Sequence, residues 1–392
     1  MGWTAIRDAL LLLALAPFFY YLLAIIAARQ FFRKSATDVS TDFTPSISIL
    51  KPIRGLDREA SENFASFCRQ DYPEFEIIFC VTDEREPAIP VIQEIIRDFE
   101  AHNSPKHTLR LLVGSEAAGS SDKANKLCRM SREARHDLLI VSDSDVRVEP
   151  GFLRAVASPF RDPTVGGVTC LYRGLADGSL PARLEALGNS TDFAPGVLAA
   201  RALGGVNFML GAVMATTKQR LAEIGGFESL ADYLCDDYEL GNRIAARGHR
   251  IELSSFPVSV VYPRETLPDA FRHQVRWNLA IRYSRPAGHF GLLFSQGLPW
   301  TILAVAIAPS IAISVAYLAA YAVLRAGVAW IVGARGMRDS SVPRNLWLLP
   351  LRDGFAFVVW LASFFPHRIH WRDQEFFVRD KRLVPIVPAG HK

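Results

Sequence analysis

The sequence has no CxxC pair, no GxGxxG run and no GxxxxGK[ST] run, and each absence removes a class of protein. Its five cysteines (Cys68, Cys80, Cys128, Cys170 and Cys235) are odd in number and scattered. That argues for a reducing compartment and against a disulfide framework or a zinc site, and it leaves them as small buried apolar residues. Without the glycine fingerprint a nicotinamide oxidoreductase is disfavoured, and without the Walker lysine so is a P-loop NTPase. Internal repeats and low-complexity tracts are also missing. A formal net charge of +4 over 392 residues gives no case for nucleic acid as a partner. A modest basic excess does suit anionic lipid headgroups.

Apolar residues are abundant: hydrophobic residues make up 50% of the chain and charged ones 21%, with the charge concentrated mid-chain. Residues 9–28 carry no charge and precede Arg29, Arg33 and Lys34. That length spans a bilayer and exceeds a signal-peptide core. The basic cluster places the following segment in the cytoplasm. Residues 290–332, broken only by Arg325 and containing Pro299 and Pro309, are long enough for two spans. A third apolar stretch, 346–365, is interrupted by Arg352 and Asp353, which must pair with each other or sit at the interface. Arg368, Arg372, Arg379, Lys381 and Arg382 follow. If all three segments crossed, this basic tail would end outside, so either one is interfacial or the positive-inside rule fails here.

Between these ends, short apolar runs alternate with helix-like segments, the pattern of an α/β domain with a mostly parallel sheet. Strands are expected at 46–50, 76–82, 109–113 and 138–142, and helices at 59–70, 88–101 and 122–135. In open α/β sheets ligands lie beyond the carboxyl ends of the strands. Two of these strands end in acids, at Asp83 and at Asp143.

Asp143 and Asp145 form a DxD after a buried strand and can share Mg²⁺ or Mn²⁺ with a diphosphate; the other reading is an Asx-turn with a solvated second acid. Asp83 can contact a nucleotide, or cap a helix. Asp237, in Asp236-Asp237, sits where a helix starts and can serve as a general base, or simply complement the helix dipole. His273, Arg276 and Trp277 share one helix face behind a Thr266–Asp269 capping box. They can bind phosphate and stack on a sugar or lipid, or line an interfacial helix. Lys51, Arg54, Lys123 and Asn125 follow a strand or open a helix; they can reach a diphosphate or stay solvated. Taken in order, strand-Asp, strand-DxD, acid pair and HxxRW between apolar ends are hard to obtain by chance.

This series resembles the D, D, D, (Q/R)xxRW signature of ceramide glucosyltransferases and their bacterial relatives, glycosyltransferase family 21, which include the glycosyltransferase associated with hopanoid biosynthesis. The likeness extends to residues 48–55 (SILKPIRG), 71–77 (DYPEFEI) and the late Trp371-Arg372. It implies a GT-A-type nucleotide-sugar fold, a UDP-sugar donor, a divalent cation and inversion at the anomeric carbon. By the same resemblance Asp83 contacts the nucleotide, Asp143 and Asp145 hold the metal, Asp237 is the base, and Arg276 and Trp277 lie near the diphosphate and acceptor. His273 departs from the expected Gln or Arg. The expected acceptor is a lipid hydroxyl, of ceramide or of a hopanoid polyol. The organisation is then an anchor at 1–34, a cytosolic catalytic domain at 44–285, membrane helices at 290–366 and a basic tail at 367–392. The protein would be multi-pass in a bacterial-type inner membrane. A non-catalytic membrane scaffold that only binds nucleotide-sugar is the competing reading from another class.

Overall fold

A computed structural model describes residues 2–35, 42–101, 106–176, 178–365, 368–371 and 374–386. The chain divides into two compact units, 35–175 with 206–263 and 368–392, and 1–34 with 176–205 and 264–367.

In the first unit β1 (Ile47–Pro52), β2 (Phe75–Val81), β3 (His107–Val113) and β4 (Leu138–Ser142) are the four strands expected from the apolar runs. They pair in parallel in the order β3-β2-β1-β4, with Ile49 opposite Ile77 on one side and Ile140 on the other. β1, β2 and β4 are buried along their whole length, because helices cover both faces of a parallel sheet. That is why their sequences are continuous rather than alternating apolar runs. The covering helices Ala60–Cys68, Ile89–Glu100 and Asp122–Glu133 lie where helices were expected.

The sheet then changes direction. β7 (Val213–Thr217) joins β4 antiparallel, and β6 (Val165–Ala176), β8 (Arg250–Tyr262) and β5 (Val146–Arg147) complete eight strands in the order β3-β2-β1-β4-β7-β6-β8-β5. The tail forms a second sheet, β9 (Ile369–Trp371), β10 (Gln374–Arg379) and β11 (Arg382–Pro385). It is tied to the chain just before Asp236: Leu234 N–H donates to Lys381 O (3.1 Å) and Leu383 N–H to Asp232 O (2.7 Å). Arg372, of the Trp371-Arg372 pair, lies outside the described residues.

The second unit is helical. Two of its helices, Gly2–Arg33 and Ile311–Gly336, are long and apolar enough to cross a membrane. Segments Pro286–Ser295 and Gly297–Ile307 pass the same test only as a pair, bent by 52° at the break. The third apolar stretch yields a helix of 14 residues, Leu349–Ala362. Here the structure corrects the sequence reading: Arg352 and Asp353 do not neutralise each other. Adjacent residues on a helix point apart, and each finds a partner on another segment. Asp353 accepts from Arg325 Nε (3.0 Å) and Tyr321 Oη (2.8 Å), while Arg352 Nε donates to Asp192 (2.7 Å). Arg325 also reaches Asp192 and the Thr191 carbonyl (2.6 Å). The result is a buried four-charge network, the arrangement that makes ionised groups tolerable in an apolar surrounding.

Candidate active site

Asp143 and Asp145 leave the end of β4. The pair is shaped from beneath by Lys51, the residue next to last in β1. Lys51 is fully buried, lies 3.9 Å from the centre of the Phe67 ring and donates to Asp143 O (2.8 Å). Burial lowers its ammonium to about 7 against the pull of Asp143 and Asp145. The expectation that Lys51 reaches a diphosphate is therefore revised: its donors are spent inside the fold, holding the DxD turn. Asn125 is occupied in the same way. Its Oδ1 accepts from the N–H groups of Ala118 (3.0 Å) and Gly119 (2.9 Å) and its Nδ2 donates to Gly119 O (2.9 Å), which fixes the loop ahead of the helix Asp122–Glu133.

Lys123, on that helix, does face the acids. Its Nζ lies 2.7 Å from Asp143 Oδ1. Burial opposes its charge, but Asp143, Asp236 and Asp237 outweigh burial and hold the proton on. Asp237 is brought to the same place by the helix Asp236–Ala246. A methyl group at Gly211 would lie 3.1 Å from Asp237 Oδ2 and 3.7 Å from Asp143 Oδ2, so these two carboxylates flank one glycine. Gly211 is held by Thr169 of β6, which accepts from Leu210 N–H (2.9 Å) and donates to Val213 O (2.8 Å).

The electrostatics of the cluster follow from burial. Asp145 is pushed up to about 7, first by burial and then by Asp143 and Asp57, whose carboxylate accepts from Ser144 Oγ. Asp237 is pushed up to about 6 by burial and Asp236, despite the Tyr238 N–H (2.8 Å) and the Cys235 thiol (3.1 Å) that donate to it. A helix N-terminus favours an ionised acid, yet here desolvation wins. Carboxylates crowded with too little positive charge are a donor set for a hard divalent cation.

Arg54 and Asp83 lie at neighbouring strand ends. Arg54 is half-buried, 3.9 Å from Asp122, which also takes the Thr82 hydroxyl (3.1 Å). Asp83 is exposed, and its Oδ1 accepts from Arg85 N–H (2.8 Å), so it closes a tight turn beyond β2.

His273, Arg276 and Trp277 belong to the helical unit. They share the helix Leu267–Ser284, which opens on the capping box read from Thr266 and Asp269. Trp277 meets the His273 ring edge-on at 4.6 Å. His273 Nδ1 lies 2.6 Å from Glu185, a fully buried acid on the helix Leu180–Gly188 that sequence reasoning passed over. Its Oε1 also accepts from Gln274 (2.8 Å), and Glu265 completes the group. His273 holds Glu185 ionised, down to about 2, against burial; burial and Glu185 push Glu265 up to about 9. Gly211 and Glu185 had no local signature, since each matters only for what stands opposite it.

Fold and acid cluster together define a GT-A-type glycosyltransferase fold. The mannosyltransferase PcManGT of Pyrobaculum calidifontis, solved with GDP-Man and Mn²⁺, is similar in fold with a TM-score of 0.54 at 19% identity, covering 92% of this chain and 99% of its own. The chain belongs to glycosyl transferase family 21, whose model matches residues 9–384. Among its relatives are ceramide glucosyltransferases 1 and 3 of Caenorhabditis elegans. The first is 28% identical over 66% of this chain and 54% of its own length, the second 27% over 64% and 54%. The chain thus spans about half the length of the curated relatives it matches.

Proposed function

We propose that this protein is an inverting hexosyltransferase that moves glucose or N-acetylglucosamine from a UDP-sugar onto a lipid hydroxyl. The observation that carries the reading is the approach of Asp237 and Asp143 to one glycine, with Lys123 on Asp143. A base and a diphosphate-end acid on either side of a residue without a side chain leave room for a reacting atom between them.

Asp237, with its carboxyl near 6, is mostly ionised at neutral pH yet basic enough to take a proton from a primary hydroxyl. The hydroxyl oxygen forms the new bond to the anomeric carbon as the bond to the diphosphate oxygen breaks, and the leaving UDP carries away that electron pair. Inversion needs one base and no covalent glycosyl-enzyme. Asp143 and Asp145 would hold Mg²⁺ or Mn²⁺, which fits the crowding of their carboxylates and would supply neutralisation of charge on the leaving diphosphate. Lys123 orients Asp143. Asp83 would contact the nucleotide, Arg54 its diphosphate, and Arg276 and Trp277 the diphosphate and acceptor. The membrane-length helices suit a lipid acceptor, ceramide or a hopanoid polyol. Arg29 and Arg33 at the C-terminal end of the helix Gly2–Arg33 favour a catalytic unit that faces the cytoplasm, in a multi-pass protein.

The test is a screen of the full chain in detergent, with Mn²⁺, against UDP-glucose and UDP-N-acetylglucosamine paired with ceramide and a hopanoid polyol, read by mass spectrometry. One hexose or N-acetylhexosamine increment on one lipid is expected. UDP-sugar binding without transfer or hydrolysis in any pairing would favour the scaffold reading instead.

A further inference from the structure

We propose that Glu185, Glu265 and His273 form a second divalent-cation site, for a transition metal of the zinc or manganese kind, in addition to the Asp143–Asp145 pair. One ligand atom from each residue lies within 4.8 Å of the others. Glu185 is 1% exposed. Its Oε1 is used by Gln274 and His273, but its Oε2 is buried and has no donor among the described residues. Glu265 Oε1 is buried and has no donor among the described residues either; the Glu265 carboxyl faces that of Glu185. Buried polar atoms are satisfied as a rule, so two orphan carboxylate oxygens in one cluster point to a positive occupant. Two carboxylates and one imidazole are an O, O, N donor set, which suits zinc and manganese and leaves a coordination position for water.

A proton shared by the two carboxyls is the competing occupant, and it would leave His273 only its pairing with Glu185. A cation uses all three residues. It also accounts for the one departure from the (Q/R)xxRW pattern: imidazole ligates a metal, whereas guanidinium has no lone pair to offer and a carboxamide is a weak ligand. The ion would tie the helix Leu180–Gly188 to the opening of the helix Leu267–Ser284. It would fix the ring against which Trp277 rests. Glu265 is placed for this by the capping box that begins at the next residue. Gln274 is the outer support, donating to Glu185 while its own oxygen accepts from Arg352 (3.3 Å).

The experiment uses the full chain in detergent carrying Asp143→Asn and Asp145→Asn, so that the nucleotide-side pair contributes nothing. The protein is stripped with chelator and reloaded with Zn²⁺; bound metal is counted by mass spectrometry and thermal unfolding is followed with and without the ion. One Zn²⁺ per chain and a melting temperature several degrees higher with metal are expected. Glu265→Gln and His273→Gln should each weaken Zn²⁺ binding by at least about tenfold and remove the thermal shift. Co²⁺ loaded into the same background gives an independent reading that needs no further variant, a visible absorption band from the O, O, N site. Retention of no Zn²⁺, undiminished binding by Glu265→Gln, or a missing Co²⁺ band would overturn the proposal and identify the occupant as a proton.

Discussion

Gly211→Ala is the smallest change that reaches both acids of the proposed reaction at once. The glycine does not occupy the left-handed region, so alanine meets no backbone penalty, and loss of glycine's freedom in the unfolded chain favours the variant. The added methyl lies 3.1 Å from Asp237 Oδ2 and 3.7 Å from Asp143 Oδ2. The first contact is a few tenths of an ångström too close. Asp237 cannot swing freely, because Tyr238 N–H and the Cys235 thiol hold its other oxygen. It must shift as a pinned group. A 1 Å misplacement of a reacting group costs about 10²-fold, so a few tenths should cost roughly tenfold in kcat. UDP-sugar KM should change by less than about twofold, since only the reacting geometry is disturbed. The assay is initial-rate transfer in detergent alongside thermal unfolding. Wild-type kcat in a normally folded Gly211→Ala protein would refute the reasoning, because Asp237 and Asp143 would then not bracket the reacting atoms.

Three further outcomes are expected. Asp237→Asn should lower kcat by at least about 10²-fold. Because Asp237 is raised to about 6 in the folded state, its ionisation costs stability as pH rises through that value. The Asn variant should therefore melt at or above wild type at pH 7.5, and the advantage should shrink below about 6 and vanish below the unfolded value of 3.8; a variant less stable at pH 7.5 would contradict the assigned burial. Arg325→Ala leaves Asp353 without its guanidinium and Asp192 with Arg352 alone, and should destabilise the helical unit by about 3–5 kcal/mol, seen as a large loss of melting temperature in detergent. Deleting residues 368–392 removes the Lys381 and Leu383 backbone bonds to Leu234 and Asp232; faster proteolytic cutting near residue 234 and a lower kcat at unchanged donor binding are expected.

The parallel half of the sheet was readable because each strand is buried on both faces, which forces a continuous apolar run such as that at 138–142 followed abruptly by polar residues. The acids at those strand ends were readable for the same reason, since a carboxylate directly after such a run must mark its exit from the core. The antiparallel half was not. β6 and β7 are separated by two helices, and nothing in Thr169 announces that it will hold the turn beside Asp237. Lys51 and Asn125 looked like ligand contacts because charge and amide groups near strand ends commonly are, and only their buried partners reveal the structural role.

The sequence by itself determined where acidic and basic residues follow apolar strand runs or open helices, which segments are apolar enough for a membrane, and the order in which both occur. Those are properties of residue type and spacing along a line. Tertiary structure alone decided the partners. Arg352 is answered by Asp192, Asp353 by Arg325 and His273 by Glu185, across separations of 160, 28 and 88 residues. A buried charge or an orphaned carboxylate oxygen is settled by whatever the fold brings within 3 Å of it, and chain distance carries no information about that.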